Sequence, residues 1–539
     1  MKGGETPKQT KSSFTEEILF IKQYIHHMKE ESFMTKFQKQ MLTIAAAGAL
    51  TAVTALPAMA FENEFSGSFA LKTYLSNFDN GTSAAYPVAA TYTQTVPNVL
   101  TVTNFGMGRT KASNYTDQRL RLGYTAKASD DLKLVTQFEV NTRWGNTNAT
   151  GVNTAGVGGG VDTDGINFAT RWAYLDFNMG KSVNVKAGLQ PMKDKLKGLY
   201  FDADLPAAQV AYKTGGYTLN LLYSRFNDST TAAGAVPANL GDMTADLFGV
   251  ENTYAFSKDT SVSLVYYLNS DNTQHKDTPD LGTSKQKKIN TFGVSGQTKI
   301  GSLDLSAFAA MQAGYQKNAA VNTATVGGFG KTMNYHGWAA ATNAKMKVGT
   351  GAAKMGFLFA SGNSGADGSH DAHNYGWQTI SNNNNSVGQN TYNESGMMLL
   401  ARNTSMSGTN TDGYLRKPVT NIALLTMGYD AKLSDKLYAN GNVGFAWAPS
   451  SSQEQHVDFN QFIQYGGWAK NNASDFMGTE MNLEVGYSLY KNLTLKAQAA
   501  YVVLGGYYKN SAVVTAGANP VVATPENPFT TRLAAVYSF

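Results

Sequence analysis

His370-Asp371-Ala372-His373 carries two imidazoles at a spacing that could hold a metal, and Asp162-Thr163-Asp164-Gly165 has the opening of a calcium loop. Neither grows into a site on the sequence. No third ligand is marked beside the histidines, and the acidic run lacks its later positions. Both read as polar loop residues, so no metal is expected. Gly-x-Ser-x-Gly and His-Glu-x-x-His do not occur. Cysteine is absent, which removes disulfides, thiolate catalysis, Cys-ligated zinc and covalent haem attachment. The expectation is therefore no catalytic residue and no cofactor. The formal net charge of +5 gives no reason to invoke nucleic acid. An enzyme whose site is assembled from distant segments is the alternative from another class.

The remaining candidates are charges that recur at alternate positions, and these need elements to align them. Between residues 118 and 141 the chain reads QRLRLGYTAKASDDLKLVTQFEVN. Leu120, Leu122, Tyr124 and Ala126 take one face, and Arg119, Arg121 and Thr125 the other. Leu132, Leu134, Phe138 and Val140 likewise oppose Lys133, Gln137, Glu139 and Asn141. Period two is the mark of a strand with one apolar and one wet face. The plan is reused. Gly-Tyr-x-Ala-Lys-x-Ser-Asp-x-Leu occurs at Gly123–Leu132 and at Gly428–Leu437, with looser echoes from Tyr254 and Tyr487. Alternating segments of about 9–13 residues match a tilted bilayer crossing.

Tight turns are predicted near Ser129-Asp130, Gly180-Lys181, Gly215-Gly216, Lys258-Asp259, Gly301-Ser302, Gly349-Thr350, Ser434-Asp435 and Lys491-Asn492. Between them lie long polar stretches, including Ser76–Ser113, Gly145–Gly165, Pro191–Leu205, Asn227–Ala245 and Ser361–Pro418. The last carries an apolar knot, Met397-Met398-Leu399-Leu400, expected to pack on itself, on other loops or over a pore mouth. Short turns on one side and long loops on the other predict an all-β, closed antiparallel transmembrane barrel of about 18 strands. Charged residues are only 15% of the chain, too few for the wet outer face of a soluble sandwich. The fixed blade period of a propeller is not found. Tyr124, Tyr254, Tyr429 and Tyr487 each precede a tight turn and would form an aromatic girdle.

Residues 34–60 have the pattern of a signal peptide. Lys36 and Lys39 precede an apolar run, and Ala58-Met59-Ala60 is a cleavage site. Residues 1–33 read as a leader ahead of the true start at Met34, and residues 61–539 as the barrel domain.

The signal segment, the repeated hairpins and the terminal Tyr537-Ser538-Phe539 resemble Gram-negative outer-membrane porins. The count of strands departs from the sixteen or so of general porins. The resemblance implies a water-filled channel for passive diffusion of small hydrophilic solutes and ions, embedded in outer-membrane lipid as a homotrimer. It makes Tyr537 and Phe539 part of the signal read by the barrel assembly machinery. Inward positions would form the pore wall. Lys496, Arg532, Lys72, Arg119, Arg121 and Lys133 fall on strands around the closure seam and would make a basic sector with a weak anion preference. Glu139, Asp304 and Glu484 share that face. The resemblance also implies that the third long loop folds into the channel. Pro191–Leu205 stands there, with the pore-lining candidates Asp194, Asp202 and Asp204. No plug domain precedes the first strand, so transport is expected to be passive. A barrel sheathing a partner such as a cytochrome is the alternative among membrane proteins.

Overall fold

The computed structural model describes residues 62–78, 112–145, 168–228, 241, 243–274, 285–317, 332–363, 371–380, 390–404, 414–416, 418–450, 474–509 and 526–539, with short backbone ladders at 91–96, 99–104, 513–514 and 522–523. The leader and signal readings, Asp162–Gly165 and His370 lie outside these residues.

Eighteen strands form one antiparallel ring. They are β1 (Glu62–Ser76), β2 (Ser113–Ser129), β3 (Leu132–Arg143), β4 (Phe168–Met179), β5 (Val183–Lys193), β6 (Asp202–Thr214), β7 (Tyr217–Asp228), β8 (Thr244–Ala255) and β9 (Ser261–Gln274). The ring continues with β10 (Lys285–Ile300), β11 (Leu303–Lys317), β12 (Trp338–Val348), β13 (Gly351–Ala360), β14 (Ile422–Lys432), β15 (Leu437–Trp447), β16 (Phe476–Tyr490), β17 (Leu493–Leu504) and β18 (Phe529–Ser538). β1 pairs with β2 on one side and with β18 on the other, with Phe69 opposite both Leu120 and Tyr537. No strand of the ring is left with an unpaired edge, which is the condition for crossing lipid with strands. All eight predicted tight turns join neighbouring strands, and both ends of the ring lie on the short-turn side.

The repeated motif is a turn device. In its first copy, the Ser129 hydroxyl accepts the Asp131 amide and Lys127 pairs with Asp130 at 3.3 Å. In its second copy, Ser434 accepts the amides of Lys436 and Leu437, and Lys432 pairs with Asp435 at 2.8 Å. The echo from Tyr254 keeps only the serine, where Ser257 accepts Asp259 and Thr260. A hydroxyl that satisfies the turn's own amides lets the chain reverse without tertiary help.

Alternation sets the two faces. Leu264, Phe292, Met311, Met481, Leu483 and Leu533 are all exposed on the outside. An apolar belt of this kind is what a lipid-facing wall requires. Tyr254, Tyr429 and Tyr487 are exposed at its short-turn rim. Phe539 continues the seam, exchanging backbone hydrogen bonds with Gly67 at 2.9 and 3.1 Å. The buried apolar core lies on the opposite, inner side. It is built from loop residues such as Leu199, Phe201, Trp377 and Met397–Ala401 against inner-face residues such as Tyr267, Leu358 and Leu424.

Candidate functional site: a plugged arc and a charged arc

The loop between β5 and β6 is shorter than Pro191–Leu205. The strands extend through Lys193 and from Asp202, which face each other in register and pair at 3.3 Å. Only residues 194–201 connect them. Asp194 does not stand on a channel wall. Its carboxylate accepts the amides of Leu196, Gly198, Tyr200 and Phe201 at 2.6–2.9 Å and is buried within the loop. A four-donor ring of this kind fixes the loop backbone. Burial pushes the Asp194 carboxyl up to about 7, while the four amides pull it down. The loop then reaches the inner face of β9: the Lys195 amide donates to the Tyr267 hydroxyl at 3.2 Å. Leu196 packs so closely on Gly293 that a Cβ there would meet it at 2.8 Å.

The long loop also enters the barrel, and its apolar knot is an internal anchor. Glu480 lies on the inner face of β16, between the outward Met481 and its neighbours, and is fully buried. Its carboxylate accepts three consecutive amides, Met398 at 2.6 Å, Leu399 at 3.0 Å and Leu400 at 2.7 Å. Asn482 on the same face donates to the Gly396 carbonyl at 2.9 Å. Tyr392 bonds Asn343 of β12. The two loops join each other: the indole of Trp377 and the amide of Asn390 both donate to the Leu199 carbonyl, at 3.1 and 2.8 Å. Thr391 donates to Asp202 at 2.6 Å, and Lys197 pairs with Glu394 at 2.8 Å. Together the loops cover the inner face from β9 to β16.

The predicted basic residues lie on the arc that runs over β16 and β17, across the seam, to β4. Each has a partner. Glu139 gathers Arg121 at 2.7 Å, with Arg119 and Arg171 both at 3.6 Å. Asn141 bridges them, accepting from Arg119 and donating to Glu139, both at 2.7 Å. Arg171 passes the chain on to Asp204 at 2.6 Å, where the Trp172 indole also donates at 2.7 Å. Lys133 pairs with Asp176 at 3.4 Å, and Lys496 with Glu484 at 3.4 Å. Lys72 is buried in register with Asp117. Arg532 lies over the Tyr74 ring at 5.5 Å. The basic sector is thus a ladder of ion pairs and not a bare cationic wall. Within its densest part three arginines, Arg119, Arg121 and Arg171, face two carboxylates, Glu139 and Asp204.

Sequence reading missed three parts of the inner face. Arg171 sits at a bulge: Gln137 pairs with Trp172 and Phe138 with Thr170, so Arg171 has no opposite residue. The extra residue turns Arg171 and Trp172 to the same side, which strict alternation forbids. Across the seam, Tyr74 stacks on Tyr115 at 4.6 Å, and Arg143 lies over Tyr115 at 4.5 Å while gripping Asp117 at 2.7 Å. That Arg–Tyr–Tyr–Arg stack depends on which strands meet at closure. Glu480 carried no signal either, since its ligands are backbone amides of a loop about eighty residues away.

No protein-family model and no curated protein sequence matches the chain. Among solved structures it is similar to the outer membrane protein OpdK of Pseudomonas aeruginosa, at 12% identity and a TM-score of 0.45 over 88% of this chain and 98% of that one. OccK2 (OpdF) of the same organism, solved in complex with glucuronate, is similar at 10% identity and 0.45 over 89% and 99%. OccK8 (OprE) is similar at 10% identity and 0.46 over 88% and 98%. The ring of paired strands, closed from the last back to the first, makes this chain a closed eighteen-stranded antiparallel barrel.

Proposed function

We propose that the protein is an outer-membrane porin, a narrow channel through which small hydrophilic solutes and ions diffuse passively along the charged arc. One observation carries this reading. Two inserted loops line the inner face from β9 to β16, and the remaining inner face bears the Arg119–Glu139–Arg171–Asp204 ladder. A solute confined there meets fixed donors and acceptors of both signs, and the surplus arginine gives a weak preference for anions. Partial pairing also explains why the preference is weak: each guanidinium's field is largely cancelled a few ångströms away.

Two further readings belong to the same proposal. Tyr537 and Phe539, at the closing strand and rim, serve as the signal for the barrel assembly machinery. The barrels associate as trimers in outer-membrane lipid. The channel reading is tested by reconstituting the folded protein in a planar bilayer under a salt gradient. Steady open steps with a small reversal potential of anionic sign are expected. A silent barrel that hydrolyses ester or peptide substrates would replace the channel by an enzyme.

A further inference from the structure

Two histidines from different loops meet beyond the strand ends. Thr332–Tyr335 and Asp371–Asn374 form a short parallel ladder, joining the segment that enters β12 to the long loop. His336 follows the first piece and His373 lies in the second. The His336 amide donates to the Asn374 carbonyl at 2.8 Å, so main-chain bonds hold both positions. Nε2 of His336 and Nδ1 of His373 stand 3.2 Å apart. Tyr375 flanks both rings, at 5.7 and 6.0 Å between centroids.

We propose that His336 and His373 form a zinc-binding clasp between these two loops. Without metal, the separation is that of an N–H···N hydrogen bond. It is also the edge of a tetrahedral zinc site, because Zn–N bonds of about 2.0–2.1 Å place two ligand nitrogens about 3.3–3.4 Å apart. A cis pair in a square-planar copper site would have to close to about 2.8–3.0 Å. Zinc would take a lone pair from each of the two facing nitrogens, and the ring that had donated its N–H carries that proton on its other nitrogen instead. His336 is exposed, so the ion has a route in and water can fill the open positions. Among the described residues no third His, Cys, Asp or Glu completes a set. Two protein ligands make a reversible site, one that responds to external zinc. Its effect is mechanical: it fastens the long loop, whose inner part is the plug, to the neighbouring loop at its outer end. This stands apart from the channel proposal, since binding is measured with or without current.

The test is calorimetric titration of Zn²⁺ into the folded, detergent-solubilised full chain near neutral pH, with Mg²⁺ as control. Wild type, His336→Ala, His373→Ala and His370→Ala are compared, all checked for the heat-modifiable folded band. One zinc equivalent is expected in wild type and in His370→Ala, weakened about tenfold or more in each of the other two. Retention of wild-type affinity by His336→Ala or His373→Ala overturns the site. So does a loss confined to His370→Ala. Limited proteolysis supplies a second reading: zinc should slow cleavage of the long loop in wild type but not in His336→Ala. Equal cleavage with and without zinc in wild type overturns the clasp.

Discussion

Glu480 and Glu139 are both inner-face glutamates on barrel strands, and both are buried, at 0% and 7% exposure. Their partners differ. Glu480 is held by three peptide amides of an inserted loop, so its charge is spent inside the protein. Glu139 is held by arginine side chains of adjacent strands, so its charge becomes part of a polar surface. The arc around Glu480 is filled with apolar side chains, while the arc around Glu139 is ionic. The same residue type on the same face is a loop anchor in one place and part of an ionic surface in the other. What stands across from it decides which.

The strongest way to break this comparison is to remove the covered arc. β13 and β14 pair directly, from Ala352 with Asp430 to Ala360 with Ile422. Replacing residues 364–420 by a short linker should therefore leave the ring closed. The excised barrel should still migrate differently before and after boiling, and its conductance should rise severalfold. It should also melt at lower temperature, since inner-face Leu358 and Leu424 lose their cover at about 1.5–3 kcal/mol each. Loss of the folded band would mean that the loop is part of the ring's stability and not a plug within it.

Glu480→Ala should give a smaller effect of the same kind. It orphans three buried amides that had a charged acceptor, for a loss of about 3–5 kcal/mol in loop docking. Proteolytic cleavage within residues 390–404 should quicken, and open-channel current should become larger and noisier. Wild-type protection would show that the apolar contacts of Met397–Ala401 hold the loop without the carboxylate.

Changing Arg119 and Arg121 together to Gln tests the charged arc. Glu139 and Asp204 then face Arg171 alone, and the zero-current potential in a salt gradient should move toward cation preference. A pair of charges about 4 Å apart at an effective dielectric near 20 interacts by roughly 4 kcal/mol. Screening within about 8 Å keeps the effect local. The substitution is not neutral for stability, because Arg119 is buried beside Glu139; a modest fall in melting temperature is expected. An unmoved potential would place the ladder outside the conduction path.

The smallest effect is expected at the seam between the two loops. Lys197 and Glu394 pair at 2.8 Å while remaining partly exposed. A double-mutant cycle with Lys197→Met and Glu394→Gln should return a coupling of about 0.2–1 kcal/mol. A coupling well above that would make this ion pair, and not Trp377 and Asn390 on Leu199, the join between the loops.

Period-two alternation and the Ser-Asp turn signals were enough to determine the strands, the short-turn side, the strand number and the outward apolar belt. Each is a local property: a side chain's face follows from its parity, and a turn hydroxyl satisfies amides two or three residues on. Parity also placed Lys72, Arg119, Arg121, Glu139, Lys496 and Arg532 on the inner face. It failed at Arg171, where a bulge inserts one residue and reverses the count. Only the tertiary structure decided what the inner face meets. It turned a sector of cations into paired charges. It made Asp194 a loop support and an exposed-looking run of methionines and leucines the anchor on Glu480. Those outcomes depend on contacts between segments far apart in the chain, such as Leu199 with Trp377 and Asn390. No local pattern encodes such a contact, because its energy exists only once the ring has closed and brought the loops onto the same wall.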